Sequence, residues 1–202
     1  MKYVRRGSVS VEKTKTDGRR LRRERSRRAV IEASLEVALT SMRIPTAREV
    51  AARVGLTERT IFNLFEGKQE IMFATVLAFR LQALERLPEV PKGELKPRVF
   101  RFFKALSPLM EDYAHMRWIV MTASETVPDV ERGVVTRALR TRVHEVVGMA
   151  SDKSMSNAKR AALHAAIDPM TWRIYRVQQR LSIEQSVEAM ATSVLALTEE
   201  YT

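Results

Sequence analysis

The sequence predicts an all-α protein in which an N-terminal domain of three helices precedes a larger helical domain. The composition favours helix over sheet, because the 202 residues include only 7 glycines and 7 prolines. Apolar side chains recur at steps of three and four residues along most of the chain, which is the period of an amphipathic helix. Helix caps and helix-breaking residues divide the chain into about nine such segments. A chain of this length can form one or two hydrophobic cores.

The first predicted helix begins at about Arg22 and ends near Met42. It ends there because the following "RIP" contains Pro45, and a residue that precedes proline avoids the α region. Residues 1–18 show scarcely any apolar periodicity, so they are predicted to form a disordered basic arm. The apolar residues of the helix recur at helical spacing, and they are Val30, Ile31, Leu35, Ala38 and Leu39.

A second, short helix is predicted after Pro45. Thr46 and Glu49 have the spacing of a capping box, in which each side chain bonds to the backbone of the other residue. The helix carries one narrow apolar stripe and ends at Gly55, where a C-terminal residue must adopt a positive φ. The apolar stripe consists of Ala47, Val50, Ala51 and Val54.

Thr57 is predicted to be the N-cap of a third helix. Its inward face would be Ile61, Leu64 and Phe65. Its outward face would carry Arg59, Phe62 and Asn63, with Glu58 and Thr60 at the flanks. Two short helices that meet at a sharp angle through a glycine turn have the layout of a DNA-binding helix-turn-helix. The alternative is a pair of short core helices joined by a loop.

The remainder of the chain is predicted to consist of six further helices. A second capping box, Ser182 with Gln185, places a tight turn between the last two, which should lie antiparallel as a hairpin. The predicted helices span residues of about 67–87, 94–112, 115–124, 128–150, 157–180 and 183–201.

The positive charge of the chain is concentrated at its N-terminus. The net charge is +11 at pH 7, and residues 1–28 hold 12 Lys and Arg against 3 acidic residues, a net charge of +9. Residues 29–80 hold 6 residues of each sign. Such a basic cluster attracts a polyanion, either nucleic acid or an anionic membrane surface. The alternative is a solvated tail that only keeps the protein soluble.

Several classes of protein are disfavoured by the sequence. The chain has no cysteine, which fits a reducing compartment, and no apolar run approaches the ~20 residues that span a bilayer. The basic N-terminus has no apolar segment of a secretory signal behind it, so a cytoplasmic protein without membrane association is expected. His115, His144 and His164 share no metal spacing, and no nucleophile or phosphate-binding glycine motif is present. We therefore predict neither an enzyme nor a metal or other cofactor.

The stretch "REVAARVGLTERTIFNLFEGKQEI" resembles the DNA-binding domain of TetR-family transcriptional regulators, and the resemblance covers about residues 24–75. It departs from the family pattern at Phe62, where tyrosine is usual, and at Leu64, where histidine or tyrosine is frequent. The matching features are Val50 with Ala51, the turn Gly55, Leu56 and Thr57, the aromatic Phe62, and Phe65 with Lys68 three residues later.

The resemblance implies a DNA-binding domain at residues 19–66 and a helical effector-binding and dimerisation domain at residues 67–202. The third helix would enter the major groove, where Arg59, Thr60 and Asn63 are best placed to reach base edges and Phe62 lies among them. Thr46, Thr57 and Lys68 would contact phosphates at helix starts. The arginines of residues 19–28, Arg27 and Arg28 among them, would follow the backbone or enter the minor groove.

The resemblance further implies a homodimer on a palindromic operator and a small apolar or amphipathic effector that releases it, which describes a repressor. The dimer residues are expected in the last two helices, although packing within one subunit would also explain them: Ala161, Ala162, Ala165, Ala166, Val187, Met190, Val194 and Leu197. The pocket residues are expected in the middle and late helices, where any helical core also holds such side chains: Phe102, Tyr113, Trp118, Met121, His164, Trp172 and Arg176.

The alternative function is a binder of nucleic acid or anionic membranes that has no sequence preference. It would use the basic N-terminal helix alone. A charge-only binder would not distinguish a selected palindrome from excess competitor DNA, and this difference separates the two functions.

Overall fold

The computed structural model describes the backbone of residues 9–122, 133–149 and 153–199, and side chains within these ranges from residue 18 onward. These ranges contain nine α-helices and no strand, so the predicted all-α fold is confirmed. The helices are α1 (Val9–Ser41), α2 (Ala47–Val54), α3 (Glu58–Leu64), α4 (Lys68–Glu85), α5 (Leu95–Thr122), α6 (Val134–Val147), α7 (Asn157–Ala166), α8 (Pro169–Arg173) and α9 (Ile183–Thr198).

The caps of the short helices α2 and α3 are those that the sequence predicts. The backbone N–H of Glu49 donates to the Thr46 hydroxyl and that of Thr46 to the Glu49 carboxylate, which completes the capping box. Gly55 ends α2 with φ 67°, in the left-handed region. Thr57 caps α3 by accepting the backbone N–H of Thr60. Local sequence therefore fixes both ends of the turn between α2 and α3.

Helix α1 begins at Val9, much earlier than the predicted start at Arg22. Residues 9–18, which were expected to be disordered, are its first turns, and residues 1–8 lie outside the described residues. An apolar stripe is not needed here, because each residue added to a helix that packing has already nucleated gains a backbone hydrogen bond. Arg20 also pairs with Glu24 one turn later, at 3.5 Å. The basic segment is a continuation of α1.

Two hydrophobic clusters form the core of the part that the structure describes. The smaller cluster joins α1, α2 and α3 and consists of Val30, Ala33, Val50, Ala51, Ile61, Leu64 and Phe65. The larger cluster, in the rest of the chain, also takes in Leu35 and Ala38 from α1. Helix α1 therefore belongs to both clusters. It joins the head, which we define as α1–α3, to the body, which consists of α4–α9. The domain boundaries at residues 18 and 66 stay predictions.

Helix α5 is continuous, so the predicted break between residues 112 and 115 is wrong. Tyr113 and Ala114 are buried within it. The Tyr113 ring lies 5.9 Å from that of Phe79, and its hydroxyl is 2.8 Å from the Thr136 hydroxyl. Packing of Tyr113 against α4 and α6 keeps this segment helical. Pro108 is accommodated inside the helix.

The predicted helix at 157–180 is interrupted at Ile167 and Asp168. Asp168 caps a new helix by accepting the N–H of Met170, and Pro169 occupies its first turn, where a missing N–H costs nothing. A π-helical segment, Ile174–Gln178, follows α8. The last helix is confirmed, with the predicted capping box between Ser182 and Gln185. Of the helix predicted at 128–150, α6 covers Val134–Val147, and residues 128–132 lie outside the described residues.

In the part of the chain that the structure describes, no helix combines the length and the apolar character needed to cross a membrane.

Candidate nucleic-acid interface

Helix α3 presents its predicted outward face to solvent. Arg59 and Asn63 are exposed, and Phe62 is 44% exposed although it is a large apolar side chain. The opposite face is buried, with Ile61 at 0% exposure. The side chains expected to read DNA therefore lie together on one surface of a helix whose other surface is fixed in the core.

The turn that precedes α3 depends on Gly55. The backbone N–H of Leu56 donates to the carbonyl of Ala51 at 3.0 Å, which closes the end of α2. A Cβ added at Gly55 would meet no atom within 4 Å, so space does not require glycine here. Glycine is required by the positive φ of 67°, because residues that have a Cβ are strained in that region.

Thr46 uses its side chain within the capping box. Its hydroxyl lies 2.8 Å from Glu49 Oε2, and Arg43 forms an ion pair with the same carboxylate. The bonds from Arg43 and from the Thr46 backbone lower the pKa of Glu49 to about 2. Capping explains this threonine fully, and a phosphate contact by Thr46 stays a prediction.

Arg27, one of the residues expected on DNA, makes its hydrogen bonds within the protein. Its Nη1 donates to the carbonyl of Leu64 at 2.5 Å, and its Nη2 donates to Glu70 Oε1 at 2.7 Å. The guanidinium also lies over the Phe65 ring, 4.2 Å from the centroid. Arg27 therefore satisfies a C-terminal carbonyl of α3 and connects α1 to α4, whereas its neighbour Arg28 is exposed.

Glu70 is the partner that the sequence reasoning missed. Its carboxylate accepts the backbone N–H of Glu66 at 2.5 Å in the turn between α3 and α4, as well as the bond from Arg27. The Glu66 bond is the main cause of its lowered pKa, followed by Arg27, and the charge of Arg23 contributes. Because 43 residues separate Arg27 from Glu70, no local pattern could have paired them.

The helical form of the basic segment places some of its arginines on one face. Arg19, Arg20 and Arg23 precede Arg27 by steps of eight, seven and four residues, so they share its side of α1. All three are exposed, and Arg23 is close enough to Glu70 to lower its pKa. This basic face therefore continues past the C-terminal end of α3.

The predicted pocket residues lie in different surroundings, and a common pocket stays a prediction. Phe102 and Trp172 are buried in the body core, whereas Trp118 and Met121 are exposed, Trp118 beneath the Arg173 guanidinium at 4.3 Å. Tyr113 borders a cavity of about 30 Å³ between α4 and α5. His164 is half-buried. Thus the residues expected to form a pocket are spread between core and surface.

Trp172 and Arg176 share one acceptor that the sequence reasoning did not single out. The indole Nε1 of Trp172 donates to Glu111 Oε1 at 3.0 Å, and Arg176 Nε donates to the same oxygen at 2.5 Å. Arg176 also bonds to the carbonyl of Leu181. These contacts join α5 to α8 and the π-helical segment. Both side chains therefore have a structural role in the body.

The predicted dimer residues fall into two groups. Val187, Met190 and Val194 are buried in the core of the single chain, as is Ala166, so their side chains pack within one subunit. Leu197 is half-buried. Of the small residues on α7, three are exposed and free to approach another surface: Ala161, Ala162 and Ala165.

No group of three or more side chains suited to holding a metal ion occurs among the described residues.

Comparison with known proteins gives one informative match. No protein-family model matches the chain, and no curated protein sequence matches it significantly. Among solved structures, the chain is similar to a transcriptional regulator from Rhodococcus sp. Rha1, with a TM-score of 0.66 and 20% sequence identity. The match covers 87% of this chain and 97% of the regulator. At this identity the similarity concerns the fold, which the two proteins share over most of their length.

Proposed function

We propose that this protein is a homodimeric, TetR-like transcriptional regulator that binds a palindromic operator through α3. One observation carries the proposal: Arg59, Phe62 and Asn63 are exposed together on a short helix whose ends and inner face are fixed. The fold shared with a protein described as a transcriptional regulator supports it.

In this function α3 enters the major groove. Arg59 donates two hydrogen bonds to guanine, and Asn63 bonds to adenine, which are the pairings that their side-chain geometry favours. Phe62 contacts the methyl group of thymine in place of the phosphate that a tyrosine would reach. Thr60, half-buried beside the Thr57 hydroxyl, lies at the edge of this surface. A short helix reads few base pairs, so two copies are required.

The phosphate contacts come from residues around α3. Thr57 and Lys68 lie at the starts of α3 and α4, where backbone N–H groups favour an anion. Arg28 and the basic face of Arg19, Arg20 and Arg23 are exposed on α1 and add further positive charge. Residues 29–80 are net neutral, so this part of α1 supplies most of the long-range attraction.

The homodimer is proposed to form through the exposed small residues of α7 together with the outward face of α9. Glu188, Thr192 and Ala196 are exposed on that face at steps of four residues. The alanines of α7 and the short side chains of Thr192 and Ala196 allow the two backbones to approach closely. A small apolar or amphipathic effector in the body would release the dimer from DNA by changing the separation of its two heads, which makes the protein a repressor.

Selection of bound sequences from a random DNA pool, in excess competitor DNA, tests the proposal. The expected product is a palindrome whose half-sites lie about one helical turn apart or a multiple of it. Arg59→Ala should lose this preference, whereas Arg137→Ala, an exposed arginine of the body, should retain it. A pool that shows no enrichment with the unaltered protein would contradict the proposal.

The charge of the N-terminal helix favours a second candidate, a binder without sequence preference. The net charge of +9 in residues 1–28 is sufficient for such binding to nucleic acid or to anionic membranes. Vesicles that contain phosphatidylserine provide the test for the membrane form. Cosedimentation with them, together with equal affinity for all DNA sequences, would favour this candidate over the regulator.

A further inference from the structure

An apolar cavity lies on the seam between the head and the body. Its walls come from α1, α2, α3 and the loop before α2 on one side, and from α4 and α5 on the other. Val50 and Ile61 of its lining belong to the head cluster, whereas Met72, Val76 and Met116 belong to the body cluster. Anything that occupies this cavity therefore touches both halves of the molecule.

The cavity extends from buried residues to the surface. Ile61, Val76 and Met116 are between 0% and 4% exposed, while Ile44 and Lys68, which also line it, are exposed. A ligand can therefore enter with one end in the core and keep the other end in water.

The lining chemistry selects the class of ligand. Lys68 is the charged residue of the lining, and Thr75 is its other polar side chain. The Thr75 hydroxyl donates to the carbonyl of Ile71 at 2.7 Å, so its donor is already used within α4. We propose that this seam cavity binds an unbranched alkyl carboxylate, with the alkyl chain between head and body and the carboxylate on the Lys68 ammonium.

Because the cavity is small, a ligand longer than the cavity would separate the head from the body. The cavity volume is about 50 Å³, which accommodates only a few methylene groups. A longer chain enters only if the head and the body separate, and the flexible side chains of Met72 and Met116 permit such repacking. Such a ligand favours the separated arrangement and shifts the population toward it.

The effect on DNA rests on the proposed function. A carboxylate on Lys68 would neutralise a cation that is expected to contact phosphate at the start of α4. It would also displace α4 from the head that carries α3. Both changes weaken operator binding, so the alkyl carboxylate acts as a releasing effector at a site distinct from the body pocket expected from the sequence.

Methyl NMR of the full chain, labelled with ¹³C at the methionine methyl groups, tests the site without DNA. Titration with octanoate should shift the signals of Met72 and Met116, and octylamine should have a much weaker effect. Lys68→Gln should weaken octanoate binding about threefold to fivefold and leave 1-octanol binding unchanged. Ala47→Leu, which fills the cavity from α2, should abolish both. Ala52→Leu, an exposed change on the same helix, is its matched control.

The site is refuted if octanoate leaves both signals unchanged, or if it shifts only methionines that do not line the cavity, such as Met190. It is also refuted if Ala47→Leu, shown to be folded by its circular dichroism, binds octanoate as tightly as the unaltered chain. DNA release is measured separately by anisotropy on the selected operator. Octanoate that shifts Met72 and Met116 without an operator being found confirms the site and contradicts only the proposed function.

Discussion

Replacing Arg27 by alanine should destabilise the head without removing a phosphate contact. The substitution removes a charge-assisted hydrogen bond to the Leu64 carbonyl, an ion pair with Glu70 and a guanidinium contact with the Phe65 ring. Such a hydrogen bond contributes about 1.5–3 kcal/mol, and the ring contact about 0.5–1 kcal/mol. The Arg27 and Glu70 side chains are each 32% exposed, which places the ion pair itself at under about 1 kcal/mol. Since neighbouring contacts are not additive, we expect a loss of about 2 kcal/mol.

Urea denaturation followed by circular dichroism measures this loss, and the dependence of DNA affinity on salt measures phosphate contacts. Arg27→Ala should lower the unfolding free energy by about 2 kcal/mol while the slope of log K against log salt stays the same. The exposed neighbour Arg28 is the matched control. Arg28→Ala should change stability by less than about 0.5 kcal/mol but lower the magnitude of the slope by about 0.9.

A double-mutant cycle with Glu70→Gln isolates the contact between α1 and α4. The two single substitutions should not add, because each removes the same ion pair. The reasoning is refuted if Arg27→Ala retains full stability and reduces the salt slope. That result would mean that Arg27 binds a phosphate, as the sequence alone suggested.

Further substitutions test other parts of the structure. Gly55→Ala should destabilise the protein by about 1 kcal/mol in urea, because φ is positive there and the site is open, and an unchanged midpoint would contradict this. The pKa of Glu49 is lowered from 4.5 to about 2, so the folded state binds fewer protons than the unfolded state between these values. The stability that Glu49 contributes is complete above about pH 4.5 and is lost as the pH falls toward 2. The difference between the unaltered chain and Glu49→Gln should therefore disappear over that range, and a difference independent of pH would refute the role of the carboxylate. Met190→Ala should cost about 2–5 kcal/mol in thermal unfolding, because the side chain is fully buried in one chain, whereas Ala162→Glu should weaken dimerisation in sedimentation experiments at unchanged stability. If Met190→Ala instead weakened dimerisation at unchanged stability, Met190 would belong to the dimer interface.

The sequence predicts local features of the fold well. The capping boxes at Thr46 and Ser182, the positive φ of Gly55 and the buried face of α3 all follow from residues within four positions of each other. Each is decided by backbone hydrogen bonding or by the helical period. Such interactions do not depend on residues elsewhere in the chain.

Other features depend on contacts that the local sequence does not contain. The role of Arg27 depends on Glu70, and that of Trp172 on Glu111, 61 residues away. Val187, Met190 and Val194 recur at helical spacing on α9, but this periodicity is the same whether the residues face the body or a second subunit. Asp168 followed by Pro169 did carry a local signal for a new helix start, which the apolar spacing concealed.

The sequence dependence of DNA affinity tests the central claim most directly. Fluorescence anisotropy at one fixed salt concentration compares the selected palindrome with a scrambled duplex of the same composition. We predict a preference of about a thousandfold or more, which Arg59→Ala greatly reduces while the affinity for scrambled DNA changes little. Equal affinity for the two duplexes, or a preference that survives Arg59→Ala and Asn63→Ala together, would contradict sequence recognition by α3.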